Sequence, residues 1–235
     1  MMQQQLNKQI FITVVVLVST IILFGVSNID ESVQNSFYNF TTQEWIVNRA
    51  LEPYKFIFYD GIKKLLIITV VILIIVSLFF GKTRLIQEYK KGIFVVVLSS
   101  IFIPVIVGGL KKCTNMPCPK HLINYGGEYP KTKVWEKYPS NFQMEKKVKC
   151  WPAGHASGGF ALLSLFFLFK SRKNKILSII FALAVGWSMG TYKMLIGDHF
   201  LSHTILTMII AWLVILLIVS IVEILSRKKM KEYNE

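Results

Sequence analysis

The chain has 235 residues, 53% of them hydrophobic and 17% charged, with a formal net charge of +14. That charge would suit nucleic acid in a soluble protein, but the basic residues lie almost entirely between and beyond long apolar runs. No nucleic-acid partner is therefore expected, while anionic lipid surfaces and phosphate-bearing substrates are.

Crossing ~30 Å of hydrocarbon takes about 17 or more helical residues without Lys, Arg, Asp or Glu. Six stretches meet that rule: 9–29, 65–81, 92–110, 150–169 (with the helix itself expected over 153–169), 176–192 and 204–222. They predict one all-α, polytopic membrane domain over residues 1–235, because in lipid only helices and closed barrels satisfy every backbone group. The first run is long for the apolar core of a signal peptide and lacks a small-residue cleavage site, so it is expected to be retained.

Residues 30–64 are rich in aromatics (Phe37, Tyr38, Phe40, Trp45, Tyr54, Phe56, Phe58, Tyr59) interleaved with Glu44, Arg49, Glu52 and Lys55. Two readings stand: a partly helical segment lying along the headgroups, or a loop packed on the helix ends. Lys82, Arg84, Lys90 and Lys91 follow the second span, Lys170, Arg172, Lys173 and Lys175 the fourth, and Arg227, Lys228, Lys229 and Lys231 the sixth. The positive-inside rule places these segments and the amino terminus in the cytoplasm, leaving 30–64, 111–149 and 193–203 outside. The segment 111–149 nevertheless holds nine lysines. Binding of anionic substrate or lipid headgroups would explain charge set against the rule. All four histidines, His121, His155, His199 and His203, fall on or beside outer segments, which puts a candidate site on the extracytoplasmic face.

Three pieces carry chemistry. In Pro152-Ala153-Gly154-His155, proline suits the first turn of a helix, and the small Ala153 and Gly154 let the backbone approach a ligand. Free amides at a helix start favour an anion, and His155 beside them has a pKa suited to proton transfer. In the segment from Tyr192 to His203, a helix beginning near Asp198 as its cap would set His199 and His203 on one face. One imidazole then holds the other in a chosen tautomer, as a nucleophile toward phosphorus needs; Lys193 would offset phosphate charge. A histidine pair at this spacing also suits zinc, although the Glu that follows the first histidine in the metalloprotease helix is missing. Lys111, leaving the third span ahead of Cys113, Cys118 and Pro119, is either a point-charge phosphate binder or a snorkelling lysine.

Together these pieces resemble the type 2 phosphatidic acid phosphatases, with the related lipid A phosphatases and vanadium haloperoxidases. That family carries Lys-x6-Arg-Pro, then Pro-Ser-Gly-His, then Ser-Arg-x5-His-x3-Asp. This chain reads Lys111-x6-Cys118-Pro119, Pro152-Ala153-Gly154-His155 and Tyr192-Lys193-x5-His199-x3-His203. Cysteine and lysine stand where the family has arginines, and His203 where it has the aspartate that orients the nucleophile. Two guanidinium forks are thus replaced, which should loosen bidentate phosphate recognition.

The resemblance implies a six-span lipid phosphatase of a bacterial inner membrane with its site on the periplasmic face. His199 would attack phosphorus and form a phosphohistidine, His155 would protonate the leaving oxygen, and His203 would orient His199. Lys111, Lys193 and the backbone of Ala153 and Gly154 would hold the phosphoryl group, with no metal and no cofactor. Lipid A is the substrate the resemblance favours, ahead of undecaprenyl pyrophosphate and phosphatidylglycerol phosphate. A lipid phosphotransferase is the alternative enzyme, and a protein that only binds anionic lipid is the alternative outside catalysis. All three cysteines flank the motifs on the outer side, and in an oxidising compartment Cys118 could pair with Cys150, leaving Cys113 free.

Overall fold

A computed structural model describes residues 2–49, 54, 56–114, 116–143 and 147–234. Glu52 and Lys55, named above, and Lys146, one of the nine lysines of 111–149, lie outside the described residues, as do the side chains of Phe58, Tyr59, Lys229 and Lys231. The chain is built of helices: α1 (Met2–Val26), α2 (Ile29–Asn35), α3 (Gly61–Phe79), α4 (Arg84–Cys113), α5 (Gly154–Ala161), α6 (Leu165–Leu168), α7 (Arg172–Leu195) and α8 (Leu201–Asn234). A two-residue antiparallel pair, β1 (Tyr38–Asn39) with β2 (Glu44–Trp45), interrupts the outer segment after α2.

Among the described residues, five helices are long and apolar enough to cross a membrane: Gln3–Val26, Gly61–Phe79, Arg84–Cys113, Arg172–Leu195 and Leu201–Lys228. The fourth expected span differs. Its helical stretch is only Gly154–Leu168, short of ~30 Å at about 1.5 Å per residue. A 3₁₀ turn at Leu162–Ser164 breaks it between α5 and α6. The Ser157 and Ser164 hydroxyls donate to the carbonyls of Gly154 and Ala161, three residues back; such local bonds compete with the regular α pattern. Against the six full-length spans expected, the described residues show five long apolar helices and this shorter one.

Helices α4 and α7 start where the sequence changes from basic turn to apolar run. The Thr83 and Ser171 hydroxyls accept from the amides of Ile86 and Asn174, capping each start. Helix α8 is the axis of the bundle, packed by α1, α4 and α5, while α5 lies against α7 and α4. The core around Ile103, Val107, Ala156, Phe160, Ala182, Ala211 and Ile215 is buried. Small residues let α5 and α7 meet closely: a Cβ on Gly159 would stand 2.7 Å from Gly186 Cα. That is how helices gain packing where lipid removes the hydrophobic drive.

The basic turns gather at one end, where Lys170 pairs with Glu88 and Lys91 Nζ lies 3.7 Å from a Glu223 carboxylate oxygen. The residues singled out from the three motifs sit at the end of α4, the start of α5, the end of α7 and the start of α8. The segment 30–64 is partly helical, in α2 and from Phe56 onward, and its β1–β2 pair packs where Tyr38, Leu122, Tyr125 and Phe200 form a buried cluster with Trp45 against it.

Candidate active site

Three separate stretches are tied together at this end of the bundle. The disulfide Cys118–Cys150, with Cα atoms 5.2 Å apart, joins the loop after α4 to the segment before α5, and Cys113 is free and exposed. Two hydrogen bonds reinforce it, from the Thr114 hydroxyl to the Trp151 carbonyl (2.8 Å) and from the Cys150 amide to the Met116 carbonyl (3.2 Å). The Trp151–Pro152 peptide is cis, and α5 begins at Gly154 with Ala153 as its cap residue.

One expectation is corrected here. The Ala153 amide donates to Thr207 Oγ1 at 2.8 Å and lies 3.3 Å from the His203 carbonyl. It is spent on α8 and offers nothing to an anion; Ala153 instead fastens the start of α5 to the helix that carries His203. At Gly154, Lys111 Nζ lies 3.7 Å from where a Cβ would stand. Lys111 in the last turn of α4 and the amino end of α5 therefore face one spot.

Three of the four histidines converge. The rings of His155 and His199 have centroids 6.1 Å apart, and those of His199 and His203 5.5 Å. Nδ1 of His199 lies 3.3 Å from Nδ1 of His203, so one nitrogen donates and the other accepts. With His199 donating, His203 carries its proton on Nε2, and the Cys150 backbone faces that ring. The same assignment leaves His199 Nε2 unprotonated and available. His199 and His203 are both buried. Burial, and next the His203 ring, hold the His199 pKa well below the usual histidine value, so the imidazole is neutral at physiological pH.

How His199 is placed departs from the expected helix cap at Asp198. Helix α7 ends in a Schellman turn, with the Gly197 amide bonded to the Met194 carbonyl (3.0 Å) and the Asp198 amide to the Lys193 carbonyl (2.8 Å). Gly197 takes φ +73 there. A Cβ at that position would come within 2.3 Å of Trp45, which lies on the turn. Helix α8 starts later, at Leu201, and its first turn is met by Asp30. The Asp30 carboxylate accepts from the Ser202 amide at 2.8 Å and from the Ser202 hydroxyl, across 172 residues of sequence. Gln34, also in α2, donates to the Met194 carbonyl at 2.9 Å.

Asp198 does other work. Lys193 Nζ lies 2.9 Å and Arg49 Nη2 3.0 Å from its Oδ2, and Lys120 Nζ lies 2.7 Å from its Oδ1. Burial raises the Asp198 pKa, but the lysines beside it outweigh that and hold it below the usual carboxylate value. Lys193, expected to face a phosphate, is thus anchored beside His199 by a carboxylate. Sequence reasoning missed Asp30, Lys120, Asp198 as an ion-pair centre, and any role for Arg49. The one available signal was Gly197, a glycine just past an apolar helix ending in lysine.

His121 is apart from the other histidines. Its ring and the sulfurs of Cys118 and Cys150 place ligand atoms within 4.8 Å of one another. These residues could hold a metal only with the disulfide reduced, since the two sulfurs are bonded to each other.

No solved structure matches the chain. Over 141 residues it is 27% identical to the lipid A 4'-phosphatase of Francisella tularensis subsp. novicida (strain U112), covering 59% of this chain and 60% of that protein. The match takes in less than two thirds of the relative's length. The family model of the PAP2 superfamily matches residues 92–227. That range is more than half of the chain and contains Lys111, His155, Lys193, His199 and His203, so the chain belongs to the PAP2 superfamily.

Proposed function

We propose that the protein is a metal-independent lipid phosphatase of a bacterial inner membrane, working at the periplasmic face through a phosphohistidine. The observation that carries the reading is the 3.3 Å contact between the Nδ1 atoms of His199 and His203. It orients a buried neutral imidazole with Nε2 left for phosphorus, beside a second histidine and two lysines. In the first step His199 Nε2 attacks phosphorus and the bond to the leaving oxygen breaks. His155 gives that oxygen its proton. In the second step His155 takes a proton from water, which displaces His199 and releases phosphate. Lys111, Lys193 and the amino end of α5 at Gly154 stabilise the phosphoryl charge in both steps.

Lipid A is the favoured substrate, supported by the name of the Francisella relative; undecaprenyl pyrophosphate and phosphatidylglycerol phosphate follow. The test is phosphate release from each lipid by purified protein in detergent. His199→Ala is expected to abolish release, and His155→Ala to lower it about 10²–10⁴-fold. Product appearing on a second lipid would make it a phosphotransferase. Activity lost to a chelator and restored by zinc would replace the mechanism with a metal-based one. Lipid binding without turnover in the wild type would leave an anionic-lipid-binding protein.

A further inference from the structure

The reaction needs Lys111 and Lys193 for one phosphoryl group, yet two further cations stand beside them. Asp198 binds three cations whose exposure rises in order: the side chain of Lys193 is 7% exposed, Lys120 25% and Arg49 58%. They come from three parts of the chain, α7, the 3₁₀ turn Pro119–His121 and the outer segment after β2. They therefore form a path from the buried nucleophile to the surface, with one carboxylate opposing three positive charges.

Both outer cations are held in place. The Lys120 amide donates to the Gly197 carbonyl at 3.0 Å, and Trp45, four residues before Arg49, lies on Gly197. Arg49 meets Asp198 through a single terminal nitrogen, while a guanidinium carries five donors in a fork suited to phosphate. With Lys111 counted, four cations surround this centre against Asp198 among the described residues, a net charge beyond the roughly two negative charges of one phosphate monoester.

We propose that Arg49 and Lys120 form a second anion subsite that binds another phosphate on the same lipid headgroup, making the enzyme selective for headgroups with two phosphates. The inference rests on the phosphatase reading above and names its substrate class. The second phosphate binds outward of the one that reacts. It is either joined directly to it, as in a lipid diphosphate, or separated by a short linker, as in phosphatidylglycerol phosphate, so this subsite favours those two classes over lipid A among the substrates named above.

The experiment compares three probes in detergent micelles: phosphatidic acid, with one phosphate, diacylglycerol diphosphate and phosphatidylglycerol phosphate. Wild-type protein is expected to prefer one of the two-phosphate lipids over phosphatidic acid by about tenfold or more in kcat/KM, and which one reports the spacing. The Arg49→Gln, Lys120→Gln double variant is expected to lose that preference through a higher KM on the two-phosphate lipid. The Arg49→Lys, Lys120→Arg variant keeps it.

Equal losses on all three probes would mean that the pair only steadies Asp198, and the proposal would fall. A preference that survives the glutamines overturns it as well. Binding of the same probes to the His199→Ala protein, read by native mass spectrometry, separates this proposal from the phosphatase reading. A two-phosphate preference there, abolished by the glutamines, supports the subsite even if the wild type turns nothing over. Absence of that preference in binding sinks the subsite while leaving the phosphatase reading to its own assay.

Discussion

In the proposed mechanism the nucleophile is His199, and its pH behaviour follows from its surroundings. Burial depresses its pKa, with His203 and then Lys111 adding to the effect. The nucleophile is the unprotonated form, so lowering the pKa extends activity toward acid. The wild-type acid limb in kcat/KM, measured between about pH 4.5 and 8.5, is expected well below the ordinary histidine pKa of about 6.5. A carboxylate partner would stabilise the imidazolium instead. His203→Asp should therefore raise the His199 pKa and move that limb up by about one pH unit or more. An unmoved limb would show that the histidine pair does not set the protonation of the nucleophile. That His155, His199 and His203 belong together was legible in motif spacing. That the Ala153 amide is spent on Thr207 was not, since a backbone donor's partner depends on which helix packs against it.

At the scale of elements, the start of α8 depends on α2. Asp30 is buried, and burial raises its pKa to about 6 against the hydrogen bonds from Ser202, which lower it. Lys131 also lowers it, and Glu31 raises it. A carboxyl group whose folded pKa lies above its unfolded value binds its proton more tightly when folded. Its contribution therefore weakens the fold as pH rises from about 4 through about 6, and acid relieves that cost. The shift corresponds to about 3 kcal/mol at most. Asp30→Asn keeps an acceptor for the Ser202 amide and removes the charge. Its Tm at pH 7.5 is expected to match or exceed the wild type, and its gain in Tm between pH 7.5 and 5 should be smaller. Asp30→Ala, which removes the cap as well as the charge, should cost about 1 kcal/mol relative to Asp30→Asn. A D30N protein with an undiminished acid gain would rule out Asp30 as the source. A sequence shows Asp30 only as an acid after the first apolar run; its partner lies 172 residues on.

Across the whole molecule, the disulfide and the distribution of charge make two checkable statements. Closing a 32-residue separation between Cys118 and Cys150 should stabilise the fold by about 3–4 kcal/mol in the chain-entropy account. Reductant, or the Cys118→Ser, Cys150→Ser variant, is therefore expected to lower the Tm and, by loosening the loop that carries Lys120, to lower activity with it. Cys113 is exposed at the end of α4, on the side opposite the basic turns. In intact spheroplasts a membrane-impermeant maleimide should label it without reductant, while a cysteine introduced at Ser171 reacts only after permeabilisation. The reverse pattern would invert the proposed topology.

Composition and spacing alone determined the helical membrane class, the resemblance to the PAP2 superfamily and the three histidines that meet; the cysteine pairing was one possibility that the structure decided. The first three depend on runs of apolar residues and on intervals of a few positions, which local geometry translates directly into faces and ends of helices. Only the tertiary structure decided that the fourth span is short and broken, that α8 starts after Asp198, and that one buried carboxylate gathers Lys193, Lys120 and Arg49. Those outcomes depend on which groups compete for the same hydrogen-bond and charge partners once distant segments pack together. Asp198 could cap a helix or bind cations, and the packing of two outer loops against the Schellman turn settled it in favour of the cations.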